Sequence, residues 1–315
     1  MKKWLFVLLT ALILFSIGTY LFIPAKITVT STTFVKTTDL GTERFIVNDS
    51  NWGKWWNYSD SSSARSASRA PFTINGDEFL LTQKFYKSVD IRIMHKTQML
   101  NSKLLIVPLA LDSTGIEWKT ELASGTNPYT KLVQYLNAKK IKKNMDRILA
   151  GLSSFLSNIE NVYGINIEKN HLKDTLYITA KTELSHYPST EELYTHIKKI
   201  QAFLTKNEVQ QSGSPIFNVT QMDNKRYQLM AGIPVNKMLD DADGFSVKNM
   251  VKGFFMISEV VGGNYAIAKA SKSQEQYFQD YRKTSMAMNF TMLVTDRLLQ
   301  PDSSKWITKL CRPVY

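Results

Sequence analysis

One helical stripe of apolar residues constrains the fold of this chain more than any other feature of its sequence. Between Asn137 and Gly164, apolar side chains recur at steps of three and four residues. This spacing places them on one face of an α-helix of about 25 residues, or roughly 38 Å. They are Ile141, Met145, Ile148, Leu152, Phe155, Ile159 and Val162. Such a helix must bury its stripe, so we expect it to close a first domain and to connect that domain to a second.

The face of this helix opposite the apolar stripe is basic. It carries Lys139, Lys140, Lys142, Lys143, Asp146 and Arg147. A charge run of this kind is usually a solvated surface. The chain of 315 residues has a net charge of +12, but both halves of the chain share the excess. We therefore expect a generally basic surface, which could lie near anionic lipid head groups, and no nucleic-acid partner.

The N-terminus carries the strongest local signal. Residues 4–23 include no charged side chain, and a helix of that length spans the hydrocarbon layer of about 30 Å. Pro24 then discourages further helix. We expect residues 1–24 to form one transmembrane anchor, with a cytoplasmic N-terminus and the remaining chain in a bacterial periplasm. A cleaved signal peptide is the alternative, since Ser16 and Gly18 could form a small-residue cleavage site.

The sequence indicates neither a metal nor a cofactor. Cys311 is the only cysteine, so no internal disulfide can form and no second thiol completes a zinc site. We expect Cys311 to pack in a terminal strand. The acidic run 239–244 resembles a calcium loop but lacks ligating side chains at the first and last positions of such a loop. We predict no metal, no cofactor and no catalytic residue.

Alternating and β-branched residues predict a largely antiparallel sheet in the first domain, residues 25–164. The predicted strands are 27–35, 79–86, 89–95, 104–111 and 116–122. A short helical region is expected around 44–47, and the Ser/Ala/Arg tract 59–71 is typical of an exposed loop. The run 52–56 between them contains three tryptophans. We expect the long helix to pack across this sheet.

This order of one strand, small helices, antiparallel strands and a long C-terminal helix is that of the helix-grip fold. Residues 25–164 therefore resemble the START-like SRPBCC superfamily, which includes polyketide cyclases and lipid-transfer proteins. The best local match is the pair Trp52 and Trp55 in a W-x-x-W run. The resemblance implies a cavity between sheet and helix that holds an apolar small molecule. Trp55 and Trp118 are then ligand-binding candidates, and plain core packing is the alternative.

The second domain, residues 165–315, shows one element order twice. Ser189 and Glu192 form a capping box that opens a helix with an apolar face through Leu204. A second helix is expected at 274–285. The predicted strands are 176–184, 216–222, 227–235, 254–261, 265–270, 290–296 and 306–314. The halves share no evident sequence identity, so we predict a structural pseudo-repeat.

Several runs of this domain resemble the GyrI-like effector-binding domain, which is also the drug-sensing part of AraC-type regulators. The matching runs are YPSTEE at 187–192, GIPV at 232–235, VVGGNY at 260–265, TDR at 295–297, PDSSKW at 301–306 and PV at 313–314. The resemblance implies a duplicated β-α-β-β fold with an aromatic cleft between its halves. That cleft would bind amphipathic or cationic small molecules. The candidate cleft residues are Tyr227, Tyr265 and Trp306.

One departure from that family changes the expected charge of the cleft. Members commonly place a Glu just before the penultimate strand, pointing into the cleft, and the matching position here is Thr291. Loss of this carboxylate would remove the charge that favours cationic ligands. Glu259, in a predicted central strand, could compensate, although a lone carboxylate can equally be a surface or salt-bridged residue.

Taken together, the sequence predicts an α+β chain with an anchor, a helix-grip domain and a duplicated effector-binding domain. The expected function is non-catalytic binding of a small hydrophobic or amphipathic molecule. The alternative is a hydrolase or cyclase in which Glu259 and either Tyr265 or Tyr227 form an acid–base pair. A third interpretation, transcriptional control through effector binding, lacks a helix-turn-helix segment.

Overall fold

The computed structural model describes residues 2–56, 71–172, 174–241, 244–250, 253–285 and 287–314. All of the predicted loop 59–71 except Pro71 lies outside these residues, as do two positions of the acidic run 239–244. The chain is α+β and divides into two compact units, Met1–Asn158 and Ile159–Tyr315.

The first unit combines one antiparallel sheet with helices. Its helices are α1 (Lys2–Phe22), α2 (Asp39–Ile46), α3 (Trp52–Trp55) and α4 (Pro128–Leu156), and a short 3₁₀ turn covers Asp49–Asn51. Its strands are β1 (Lys26–Val35), β2 (Phe72–Ile74), β3 (Asp77–Phe85), β4 (Ser88–His95), β5 (Gln98–Ala110) and β6 (Ser113–Ala123). They pair antiparallel in the order β1-β6-β5-β4-β3-β2. The predicted strands are confirmed, and β2 was missed because three residues carry little periodicity.

Helix α4 packs on β1 and β6, as the apolar stripe predicted. Ile141, Met145, Ile148 and Leu152 are all buried. The predicted bounds were wrong at both ends. The helix begins at Pro128, where Asn127 caps it through the Thr130 amide, and it ends at Leu156. The Ser157 hydroxyl then donates to the Ser153 carbonyl. The apolar residues beyond Ser157 belong to a separate short helix.

Tryptophans fill the space between the sheet and α4. Trp52 and Trp56 stack at 5.8 Å between ring centroids, and the indole N–H of Trp118 donates to Ser102 Oγ at 2.9 Å. Trp55 is buried and donates to a backbone carbonyl. The space left among these side chains measures about 10 Å³, which is close to the room that one water needs. The implied apolar-ligand cavity is therefore absent from the described residues, and Trp55 and Trp118 serve as core.

A buried polar network also joins α4 to this sheet. His95 Nδ1 lies 2.6 Å from Asp77 Oδ1, and the Asn144 amide donates to the other oxygen of Asp77 at 2.7 Å. Asn75 in turn donates to the Asn144 side-chain oxygen at 2.7 Å. Buried polar groups that satisfy one another fix the register of packed elements. The network therefore holds α4 at one position over the sheet.

The prediction made for the N-terminal helix has to be corrected. Helix α1 covers Lys2–Phe22. Within the ranges that the structure describes, no helix combines the length and apolar character that crossing a membrane requires. The prediction of a single-pass anchor at residues 4–23, and with it the membrane localisation, is therefore wrong. It rested only on the length of the run and on the absence of charged side chains.

The second unit contains helices α5 (Ile159–Tyr163), α6 (Thr190–Lys206) and α7 (Asn264–Asp280), with a 3₁₀ turn at Ser303–Lys305. Its strands are β7 (Glu168–His171), β8 (Leu176–Leu184), β9 (Ile216–Gln221), β10 (Tyr227–Pro234), β11 (Phe245–Asn249), β12 (Phe254–Val261), β13 (Phe290–Leu293) and β14 (Ile307–Val314). They form one antiparallel sheet in the order β11-β8-β10-β9-β13-β14-β12-β7. Cys311 is buried in the terminal strand β14, as predicted.

The predicted pseudo-repeat is confirmed. The first half runs β8-α6-β9-β10 and the second runs β12-α7-β13-β14. Within the sheet the halves read β8-β10-β9 and β13-β14-β12, so they are related by an approximate two-fold axis between β9 and β13. This duplicated β-α-β-β order fits the effector-binding fold. The predicted strand 265–270 was wrong, because this alanine-rich segment is the first part of α7.

Prediction: Trp118 is a core residue whose loss destabilises the first unit. Trp118→Ala should lower the free energy of unfolding by about 3–5 kcal/mol, because it leaves a large cavity in a filled core. Urea denaturation followed by tryptophan fluorescence measures this, since most tryptophans of the chain lie in this unit. Tyr129→Ala, at a side chain that is 77% exposed, is the control. A loss below about 1 kcal/mol for Trp118→Ala would contradict a filled core.

Prediction: His196 makes the second unit less stable in mild acid. Burial on α6 lowers the pKa of this histidine below its ordinary value. The unfolded chain therefore binds a proton first as pH falls through about 6.5, and stability drops by up to about 1.4 kcal/mol per pH unit below it. His196→Gln should reduce the loss of unfolding free energy between pH 7.5 and pH 5. His171→Gln, at an exposed ring, should not, and equal losses in both variants would contradict the assignment.

Candidate functional site

A cleft of about 610 Å³ lies over the junction between the two halves of the second unit. Its floor includes Phe217 of β9 and Thr291 of β13, which are direct cross-strand partners. One wall is the start of α6 and the other is the first half of α7. The lining residues are Tyr187, Pro188, Ser189, Thr190, Leu193, Phe217, Asn264, Ile267, Ala268, Ser271, Lys272, Glu275, Thr291, Arg297 and Leu310.

The first wall is fixed by the capping box that the sequence predicted. Ser189 Oγ accepts from the Glu192 amide at 3.2 Å, and the Glu192 carboxylate accepts from the Ser189 amide at 2.8 Å. The carboxylate also lies 3.0 Å from His186 Nε2. This closed set of hydrogen bonds determines where α6 begins. It therefore sets Tyr187 and Pro188 at the edge of the cleft.

The second wall depends on two features that hold α7 in place. Gly262 has φ +132°, and an added Cβ would lie 2.8 Å from Ala266 Cβ. Its N–H donates to the Trp306 carbonyl at 2.8 Å. Further along, the buried Gln274 amide donates to the carbonyls of Met256 and Leu310 at 3.1 and 3.2 Å. The helix is thus fastened to both β12 and β14.

Arg297 is a buried cation at this cleft. Its side chain lies in the loop between β13 and β14 and the residue is only 7% exposed. Its guanidinium lies 4.6 Å from the Trp306 ring centroid, and Nη2 donates to Thr308 Oγ1 at 3.2 Å. Nε is buried without a hydrogen-bond partner. Burial lowers the pKa of the guanidinium from its ordinary value, but arginine stays charged at neutral pH.

The backbone of this loop is fixed from the opposite wall. The Tyr194 hydroxyl accepts from the Arg297 amide at 2.8 Å and lies 3.4 Å from the Thr295 carbonyl. Burial raises the pKa of the Tyr194 hydroxyl, so it stays protonated and able to donate as well as accept. The loop that carries Arg297 is therefore held by a side chain of α6.

The structure brings together only some of the predicted site residues. Thr291 lines the cleft, and Trp306 lies outside the lining but stacks its ring on the Arg297 guanidinium. Tyr227 contacts Tyr187 edge-to-face at 6.0 Å but is outside the lining. Tyr265 is 84% exposed on α7 and also lies outside it.

Glu259 differs most from its predicted role. The hypothesis of an acid–base pair required a desolvated carboxylate, but this side chain is 55% exposed and lies 3.4 Å from Lys309 Nζ. Glu259, Tyr265 and Tyr227 all lie outside the described lining of the cleft. The described lining of the cleft holds neither histidine nor cysteine. No group of three or more potential metal ligands forms in the part of the chain that the structure describes.

Sequence reasoning missed Arg297 as a site residue although its run, TDR at 295–297, was among the matching motifs. A signal was present, because an arginine four residues beyond a short apolar strand and near a tryptophan can be buried. Its burial is decided by Trp306 and Thr308, which are nine and eleven residues away. Spacing alone does not reveal such a contact.

No protein-family model matches the chain, and no curated protein matches it either. Among solved structures, the chain is similar to the cryo-EM structure of an EcmrR–DNA complex, at 12% identity and a TM-score of 0.45 over 59% of this chain and 71% of that one. The crystal structure of the EcmrR C-terminal domain matches at 10% identity and a TM-score of 0.42, over 48% and 98%. SAV2435 bound to tetraphenylphosphonium matches at 13% identity and a TM-score of 0.33, over 48% and 94%. At these scores the likenesses say nothing about the ligand of this chain.

Prediction: Gly262 is required for the placement of α7. Gly262→Ala should lower the free energy of unfolding by about 1–3 kcal/mol, because its backbone conformation and the short distance to Ala266 both exclude a Cβ. Thermal unfolding monitored by circular dichroism measures the loss. Gly253→Ala is the matched control, since an added Cβ there meets nothing within 4 Å. Equal melting temperatures for the two variants would contradict the constraint.

Proposed function

We propose that this protein binds an amphipathic small molecule in the cleft of its second unit, without chemical conversion. The observation that carries the proposal is the cleft itself, about 610 Å³ over the β9–β13 junction. Ligand sites are typically concave, largely apolar and supplied with a few polar groups that fix orientation. The lining combines Tyr187, Phe217 and Ile267 with a small number of charged side chains. Its volume suits a molecule of a few tens of non-hydrogen atoms at most.

Residues 165–315 are, on this proposal, a GyrI-like effector-binding domain. Two observations support it: the duplicated β-α-β-β order, and the capping-box run 187–192 that opens one wall of the cleft. We propose that residues 25–164 form a separate domain with an SRPBCC-like order of elements. The apolar space between its sheet and α4, among the tryptophans, measures only about 10 Å³. The small-molecule function is therefore assigned to the second domain alone.

The chemistry of the cleft favours binding over catalysis. A hydrolase or cyclase needs a base or nucleophile close to the bound substrate. The charged side chains in the described lining are Lys272, Glu275 and Arg297, and Glu275 lies in an exposed position on α7. The absence of a nucleic-acid partner stays a prediction.

Prediction: filling the cleft abolishes ligand binding. Ala268→Phe places a ring into the cavity from the exposed face of α7, so it should block the ligand without disturbing the core. The measurement is native mass spectrometry of the full chain, purified gently from cells, followed by titration with a panel of amphipathic molecules. We expect a retained or added ligand mass with the natural sequence and its loss in Ala268→Phe.

The matched control is Gln276→Phe, two turns further along α7 at an exposed position outside the lining. It should bind like the natural sequence. If Ala268→Phe and the control bind every tested molecule equally well, the site lies elsewhere. If the natural sequence binds nothing across the panel, the binding function is wrong.

A further inference from the structure

Arg297 presents a buried charge that the protein itself leaves unbalanced. The residue is 7% exposed, and among the described residues its guanidinium makes one hydrogen bond, to Thr308, and no ion pair. Nε has no partner. A buried charge is costly unless a counter-charge and hydrogen bonds compensate it. Stacking on Trp306 compensates only partly, since a cation–π contact supplies no counter-charge. A ligand in the cleft is the remaining source of one.

A second, independent feature of the cleft also favours negative charge. Asn264, the first residue of α7, lines the cavity. The preceding Gly263 provides no side-chain cap, and the first turn contains no acidic residue. Free N–H groups and the helix dipole make such a helix start attractive to anions. The Gly262–Trp306 hydrogen bond places this helix start beside the backbone of Trp306, whose ring stacks on Arg297.

The other charged lining residues leave the balance positive. Lys272 adds a second cation to the lining, and Glu275 adds one carboxylate. Glu275 also interacts with Arg312, whose guanidinium stacks on Phe278 at 4.8 Å. Its charge is therefore partly satisfied outside the cleft. Thr291, on the floor of the cleft, is neutral.

We propose that the cleft selects amphipathic anions, with an oxyanion head group such as a carboxylate paired with Arg297. This inference rests on the proposed binding function and specifies the ligand class. The guanidinium fork matches the two oxygens of a carboxylate, and Arg297 lines the cleft. The apolar body of the ligand then contacts Phe217 and the other apolar lining residues. The charge preference is the reverse of the cationic one that the family resemblance implied.

The test uses three probes of nearly equal shape and different charge: naphthalene-2-acetate, 2-(2-naphthyl)ethanol and 2-(2-naphthyl)ethylammonium. Their affinities for the full chain are measured by isothermal titration calorimetry at pH 7. We expect the carboxylate to bind about 10- to 100-fold more tightly than the alcohol, because it adds charge-assisted hydrogen bonds. The ammonium probe should bind more weakly than the alcohol.

Variants then assign the preference to Arg297. Arg297→Gln should reduce carboxylate affinity to that of the alcohol and leave alcohol affinity within about threefold. Lys309→Gln removes one positive charge outside the lining and should keep the preference. Arg297→Met tests a structural role without ligand: because it removes an uncompensated buried charge, its melting temperature should equal or exceed that of the natural sequence.

The outcomes separate this inference from the proposed function. Equal affinity for all three probes, or a preference for the ammonium, overturns the anion selectivity while keeping the cleft as a binding site. A carboxylate preference that survives in Arg297→Gln also overturns it. A clear loss of melting temperature in Arg297→Met would instead make Arg297 structural. If none of the probes binds and Ala268→Phe changes nothing in the broader panel, the proposed function itself fails.

Discussion

The pairing of β9 with β13 is the interaction on which the second unit depends. Phe217 pairs with Thr291 and Ile216 with Met292, and this short ladder joins two half-sheets into one sheet of eight strands. Each half alone would expose a strand edge at this position. The same pairing creates the cleft, because α6 and α7 each cover their own half and leave the junction open between them. The fold and the site therefore have a common origin in one pair of short strands.

Local sequence signals were enough to predict much of this fold. Alternation identified β8 and β12 at their observed bounds, and the Ser189–Glu192 capping box marked the start of α6. The failures have physical causes. The segment 265–270 alternates like a strand, but its alanines favour helix and its burial follows the helical spacing of Ala270, Gln274 and Tyr277. Strands β7 and β11 are held by their neighbours in the sheet, so their own residues carry little signal.

The site was less predictable because its important contacts are long-range. The sequence showed a neutral Thr291 at a position where the family resemblance implied an acidic residue. The buried cation of the cleft was not readable, since the burial of Arg297 depends on packing against Trp306 and on Tyr194 of another helix. In the first unit, by contrast, the sequence predicted more of a site than the structure shows. The order of elements implied a cavity, but side-chain volume decides whether one exists, and four large indoles leave almost none.

The approximate two-fold axis through the cleft is broken by the chemistry of its walls. The first half contributes Tyr187, Pro188, Leu193 and Phe217, whereas every charged side chain in the described lining comes from the second half. A ligand in a truly symmetric site could bind in two equivalent orientations. Here the two orientations differ in energy. An amphipathic molecule would therefore bind in one orientation, with its polar end toward β14 and its apolar end toward β9. The two-fold arrangement of the halves therefore gives the site its shape, and the charged side chains of the second half set the orientation of the ligand.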